Sequence, residues 1–348
     1  MQPSPFKKLL LIMVLAAAGM AVALLFVNSR THPQAAPMDV SSSAEPQPDL
    51  DDVRPEKITR EQAQAWLAKH DRNAMSLLAV FRATGGKNYL SEAAKIFPDD
   101  PRVVLAILSR DVFPAERRKW LELFKASSPS NSLANYLSAE NYFKEGQPDE
   151  AVRELGEAAG KSQFDNCARE IQANSEQLYK DVGKSPAGAA TEAMADMTEE
   201  DVLELADVRR VAYAIKNLMQ DKLAAGEVET VNHLAQTGMM MAEKLNSGDS
   251  GKILINKLMG NASEVLVLSA LDQNLPCNFL GGLTPAQAVQ QIKEEPRPSR
   301  ELAARFFAAY PEVSGFEMTG YHQRSMIYGK AEAMQWVVEQ QTSAGAAK

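Results

Sequence analysis

The stretch from Ser132 to Ala159 is divided by Gly146-Gln147-Pro148-Asp149, a turn that constrains its fold more than any other feature of the chain. Before the turn, Leu133, Tyr136, Leu137, Ala139 and Tyr142 or Phe143 recur at three- and four-residue spacing, which places them on one face of a helix. Lys144 and Glu145 close that helix, and Gly146 stands where a C-terminal cap needs a left-handed residue. Pro148 fits the first turn of a second helix, where its missing N–H costs no hydrogen bond. Asp149 and Glu150 set negative charge at the positive end of that helix dipole, and Ala151, Val152, Leu155, Ala158 and Ala159 form its apolar stripe. The spacing predicts two amphipathic helices closed into a hairpin, with small residues at the crossing.

These residues resemble the tetratricopeptide repeat. Counting Ser132 as repeat position 1, Ala139 stands at small position 8, Tyr142 at aromatic position 11 and Gly146 at turn position 15. Ala151 matches position 20, Leu155 position 24 and Ala158 position 27. The departures are Asn135 at position 4, Ser138 at position 7 and Gln163 where position 32 takes proline. The resemblance implies a concave face built from the first helix, with Tyr136, Glu140, Phe143 and Lys144 as candidate partner-binding residues. The basic clamp that the family uses for peptide carboxylates is not evident, since Lys144 is the one cation among them.

The rest of the chain reads as further helices. Thr59 is a candidate N-cap for a helix carrying Trp66, Leu67 and His70, followed by Ala74, Leu77, Leu78 and Phe81 at helical spacing. Gly85-Gly86 breaks the pattern, and Pro98-Asp99-Asp100-Pro101 reads as a loop between hairpins. Asn166 to Val182 is a helix, Gly183 to Gly188 a weak stretch, and Glu199 to Ala225 a long periodic helix. Val228 to Leu245, Lys252 to Leu271, Pro285 to Lys293, Ser299 to Tyr310 and Glu317 to Gln341 complete the series. The predicted fold is all-α: an irregular helical-hairpin solenoid or array behind an N-terminal transmembrane helix. Its parts are a basic stub (1–8), a signal anchor (9–27), a linker rich in Pro, Ser and Asp (28–57), a tetratricopeptide-like region (58–183), a further helical region (184–341) and a tail (342–348).

The anchor expectation rests on Leu9 to Val27, an uninterrupted apolar run behind Lys7 and Lys8. As a helix it would be about 28 Å long, close to the ~30 Å of membrane hydrocarbon. The basic pair predicts a cytoplasmic N-terminus and a body outside the cytoplasm, periplasmic in a bacterium. The alternative is secretion after cleavage near Ala23.

Net charge is −8, and Lys7, Lys8 and Arg30 stand before His32 with no acid among them, so the remainder of the chain carries −11. That balance argues against nucleic acid as a partner, because phosphate neutralisation needs clustered Lys and Arg. Cys167 and Cys277 are too few for a disulfide scaffold and read as two buried free thiols, with a single bridge in an oxidising compartment as the alternative.

Sequences that look chemical lack their context. Gly248-Asp249-Ser250-Gly251 resembles the nucleophile turn of chymotrypsin-like proteases but lies between helical runs. Asn246 to Ile253 approaches a phosphate loop without its first glycine or its Ser/Thr. His32, His70, His233 and His322 have no second ligand at metal spacing. Met239-Met240-Met241 reads as core filling, and Asn261-Ala262-Ser263 as an unspecific match to the glycosylation pattern. The C-terminal aromatics, Phe306 to Trp336, read as the seal on the last open face of the array, with a docking patch as the alternative.

The sequence thus leads to a non-enzymatic interaction or scaffold protein, membrane-tethered through residues 9–27, with an unidentified protein partner. No cofactor, metal or small-molecule substrate is implied. A structural role in the cell envelope and an enzyme with scattered site residues are the alternatives.

Overall fold

The computed structural model describes residues 57–248, 250–294, 298–309, 317, 320, 321, 324, 325 and 328–346. Compact units divide the chain at Met1–Asp52 and Val53–Lys348, and the description below concerns the second. The protein is all-helical; an isolated bridge between Asn131 and Gln163 is the one β-type pairing among the described residues.

Hairpins begin the body. Helix α1 (Arg60–Lys69) starts at a capping box in which Thr59 and Gln62 exchange side-chain and backbone hydrogen bonds. Then come α2 (Ala74–Thr84) with α3 (Lys87–Ile96), α4 (Pro101–Ser109) with α5 (Arg117–Ser127), and α6 (Leu133–Lys144) with α7 (Pro148–Ala159). The turn chemistry is as expected at α6–α7: Gly146 has φ +70°, and Pro148 opens α7. Within each pair the two helices differ. The inner members are buried around their circumference: Ser76 to Ala83 in α2, Val103 to Leu108 in α4 and Leu133 to Asn141 in α6. The outer members bury one stripe each, such as Tyr89, Leu90, Ala93 and Ala94 in α3, or Trp120, Leu121 and Phe124 in α5.

What covers the inner helices is the chain's own return. Helix α8 (Ala168–Asp181) packs on α2, and α9 (Pro186–Ala224) packs on α8, α4 and α6. Helices α10 (Val228–Asn246) and α11 (Leu254–Leu268) pack on each other and on α9, and α10 also reaches α7. A single main core therefore runs from Ile58 to Ala270, without a break at 183/184. Within it, Leu205, Val208, Val211, Ala212, Ile215 and Met219 of α9 are fully buried, each contributing roughly 1.5–3 kcal/mol of burial for the larger side chains.

Helix α9 begins about four turns before the periodic run at Glu199. Ser185 caps it by accepting from the Gly188 N–H at 3.1 Å, Pro186 occupies its first turn, and Ala189, Ala190 and Ala193 pack there without large side chains. Lys57, assigned to the linker, belongs to the body: its ammonium meets Asp196 at 2.5 Å, and its N–H donates to the Ala83 carbonyl.

Gln163 and Asn135, two of the residues at which the sequence departs from the resemblance, both make hydrogen bonds. Gln163 uses its N–H to donate to the Ser130 carbonyl at 3.2 Å, a bond proline cannot make, while its own carbonyl accepts from Ser132 N at 2.8 Å. These bonds join the start of the α6–α7 hairpin to its end. Asn135, where the resemblance would place an aromatic, donates to Glu154 at 2.8 Å; Glu154, itself buried, also accepts from Lys125 at 2.8 Å. A polar link thus runs through α5, α6 and α7.

Helix α12 (Pro285–Glu294) follows α11. Helices α13 (Pro298–Ala309) and α14 (Lys330–Ala346) then build a small core of their own from Leu302, Phe306, Tyr321, Ala333, Met334, Val337 and Val338. Among the described terminal aromatics, Phe306, Tyr321 and Trp336 join this small core, Phe307 and Tyr328 are exposed, and Met194 of α9 packs against both cores.

Among the described residues no helix is long and apolar enough to cross a membrane. This runs against the expectation of a single-pass membrane protein. Helix α9 has the length, but charged residues such as Glu192, Asp196, Glu204, Asp207 and Arg210 interrupt it every one to three turns. The run 9–27, and the linker up to residue 56, lie outside the described residues.

Candidate interaction surface

The four residues expected on a concave partner-binding face fall into two groups. Tyr136 is 2% exposed, its ring 6.4 Å from Phe164, and burial pushes its phenol pKa up. Glu140 is likewise 2% exposed and receives Arg210 Nε of α9 at 2.7 Å and Lys144 Nζ at 2.8 Å. Lys144 and Arg210 are about half exposed, at 55% and 49% of the side chain, and Phe143 is half-buried against the main core. Helix α9 therefore lies on the face where the resemblance placed a ligand.

The contact between α9 and the hairpins is lined by charge as well as by apolar side chains. Asp196 meets Lys57 and accepts from the Tyr179 hydroxyl at 3.0 Å. Glu204 accepts from Ser109 at 3.3 Å, Asp207 from Arg117 at 3.2 Å, and Arg210 bonds Glu140 and also Asp207. Residues 196, 204, 207 and 210 fall on one stripe of a 3.6-residue helix. In sequence such a stripe reads as a solvated face, and nothing in its spacing tells that α4, α5, α6 and α8 supply its partners.

A second polar centre ties the first helix to the return. One carboxylate oxygen of Asp181 in α8 accepts from Trp66 Nε1 at 3.1 Å and Lys69 Nζ at 3.2 Å, and lies 3.0 Å from His70 Nε2. The other accepts from Gln177 at 2.9 Å. Burial raises the Asp181 pKa, and the hydrogen bonds from His70, Lys69, Trp66 and Gln177 together outweigh it, leaving the carboxyl at about 2. A group whose folded pKa is depressed adds stability above its unfolded value near 3.8, and that stability is lost as pH falls towards 2. Asp181→Asn is therefore expected to lower the urea midpoint at pH 7, with the gap to wild type closing between pH 4 and about 2. A pH-independent gap would show that the charge is not what matters.

The remaining chemical-looking sequences have structural settings. Ser250 sits in a 3₁₀ turn between α10 and α11, where its hydroxyl donates to the Leu245 carbonyl and accepts from Asn256. Cys167 and Cys277 are both free, the first buried and the second half-buried. Among the described residues no group of three or more His, Cys, Asp or Glu could hold a metal ion. The methionine run divides: Met241 is buried, Met239 is half-buried and Met240 is 41% exposed. Core filling accounts for the first alone.

No protein-family profile matches the sequence, and no curated protein or solved structure matches it. The fold and the surface define an all-helical, hairpin-built body whose inner helices are covered by its own C-terminal half.

Proposed function

We propose that the chain is a non-enzymatic interaction or scaffold protein built on a tetratricopeptide-like array of helical hairpins. The observation that carries this reading is the repeated division of labour in α2–α3, α4–α5 and α6–α7, where each inner helix is enclosed and each outer helix buries one stripe. Stacked hairpins of this kind bury a continuous core between neighbours and leave long, rigid outer surfaces. With α9 packed on α6 and bonded to Glu140, a protein partner meets the outer surfaces instead of the inner face.

Proximity labelling from a ligase fused at the C-terminus tests the reading. The expected result is a small, reproducible set of labelled proteins absent from a free-ligase control. A labelled set identical to that control, together with substrate turnover by the purified chain, would replace it with an enzymatic function.

A further inference from the structure

The consecutive methionines of α10 stand in three different surroundings. Met241 is 1% exposed and belongs to the main core, and Met239 is half-buried. Met240 is 41% exposed, the one exposed methionine among the described residues. Successive residues of a helix point about 100° apart, so a run of one residue type samples core, edge and solvent. The register is fixed at the α10–α11 crossing. A Cβ on Gly238 would stand 2.6 Å from a methyl of Val267, so the helices meet there with no room for a side chain. Met241 and Ala242, three and four residues on and therefore on the same face, are enclosed. Helix α10 cannot turn Met241 outwards in place of Met240 without opening that seam.

Met240 lines an open groove of about 700 Å³ together with Gln236 and Met239 of its own helix and Asn278 and Phe279 of the 3₁₀ turn after α11. Gln236 precedes Met240 by four residues and so lies beside it on the helix surface. The carboxamides of Gln236 and Asn278 bring N–H donors to this groove. A thioether is a weak acceptor, whereas a sulfoxide oxygen is polar and makes use of such donors. Oxidation of methionine requires that the oxidant reach sulfur, and its reversal requires that a reductase reach the sulfoxide. The exposure of Met240 meets both conditions in the folded chain, and the burial of Met241 meets neither.

We propose that Met240 is a reversible oxidation site. Its sulfur lone pair attacks a peroxide, an S–O bond forms as the O–O bond breaks, and the departing oxygen takes the proton and leaves as water. Sulfur is oxidised to the sulfoxide and the peroxide is reduced. A reductase with a dithiol restores the thioether, its dithiol becoming a disulfide and the oxygen again leaving as water. Oxidation turns an apolar point of the groove polar while Met241 stays in the core. This site goes beyond the interaction-protein reading and does not depend on it.

The probe is hydrogen peroxide at graded doses on the full chain, with each methionine of α10 read by digestion and fragment mass spectrometry. Met240 is expected to oxidise more than about tenfold faster than Met241, which reacts only from a locally opened state, with Met239 between them. In urea the three are expected to agree within about twofold, because exposure no longer separates them. Met240→Leu is expected to remove the fast event and leave the slower ones. Oxidised wild type is expected to match identically treated Met240→Leu in urea midpoint, as befits a surface change. Methionine sulfoxide reductases for both epimers, with dithiothreitol and no denaturant, are expected to return the α10 peptide to its reduced mass. Equal rates at Met240 and Met241 in the folded chain would overturn the proposal, as would a fast event that survives Met240→Leu. Sulfoxide that is reduced only in urea, or a midpoint below that of treated Met240→Leu, would make Met240 a site of damage and overturn it as well.

Discussion

Tyr136→Ala is expected to lower the stability of the folded protein by about 3–5 kcal/mol, the usual cost of emptying an aromatic site in a packed core. The residue belongs to a helix buried on every side, its ring lies against Phe164, and it is among the largest fully enclosed side chains of the molecule. The surrounding helices cannot collapse into the space, because α6 is fixed between α5, α7 and α9. Tyr136→Phe keeps the ring and is expected to cost less than about 1.5 kcal/mol, the scale of a single hydrogen bond. Urea denaturation with unchanged slope measures both. If Tyr136 instead lined an open binding face, alanine there would leave the midpoint within the roughly 0.5 kcal/mol typical of surface changes. The result decides between an internal contact and the ligand-facing position that repeat numbering assigns.

That contrast shows what the sequence could convey. The α6–α7 hairpin was legible because its signals are local: a left-handed glycine, a proline in the first turn, and acidic residues at a helix start. The Thr59 cap was legible for the same reason. The early start of α9 was hidden, because Ala189, Ala190 and Ala193 pack by being small and give no large apolar period to read. The covering of the inner face was hidden for a deeper reason. Periodicity reports that Glu140 and Arg210 share polar stripes with other charged residues, but it does not say that two such stripes, 70 positions apart, meet each other instead of water. The exposure of Met240 on α10 escaped through the opposite error, since three consecutive methionines read as core when one of them faces solvent.

The Glu140 site carries an asymmetry that a second experiment exposes. Its carboxylate is buried, while the two cations that neutralise it, Lys144 and Arg210, reach it from about half-exposed positions. Removing both cations strands a charge in the interior, whereas removing the carboxylate releases two cations that water can solvate. Lys144→Ala with Arg210→Ala is therefore expected to cost about 3–5 kcal/mol, and adding Glu140→Gln should recover much of that loss. Glu140→Gln alone is expected to cost clearly less than the double variant, because a neutral amide in that pocket can keep one hydrogen bond and carries no charge to desolvate. Thermal or urea unfolding of the three variants at pH 7 supplies the comparison. Two opposite results would count against the stranded-charge account: a double variant as stable as wild type, which would show that water reaches Glu140, or a triple variant no better than the double, which would show that the alkyl stems of Lys144 and Arg210 supply the stability by packing. Recovery in the triple variant would establish α9 as a fixed internal cover of α6, held there by a neutralised charge as well as by its apolar seam.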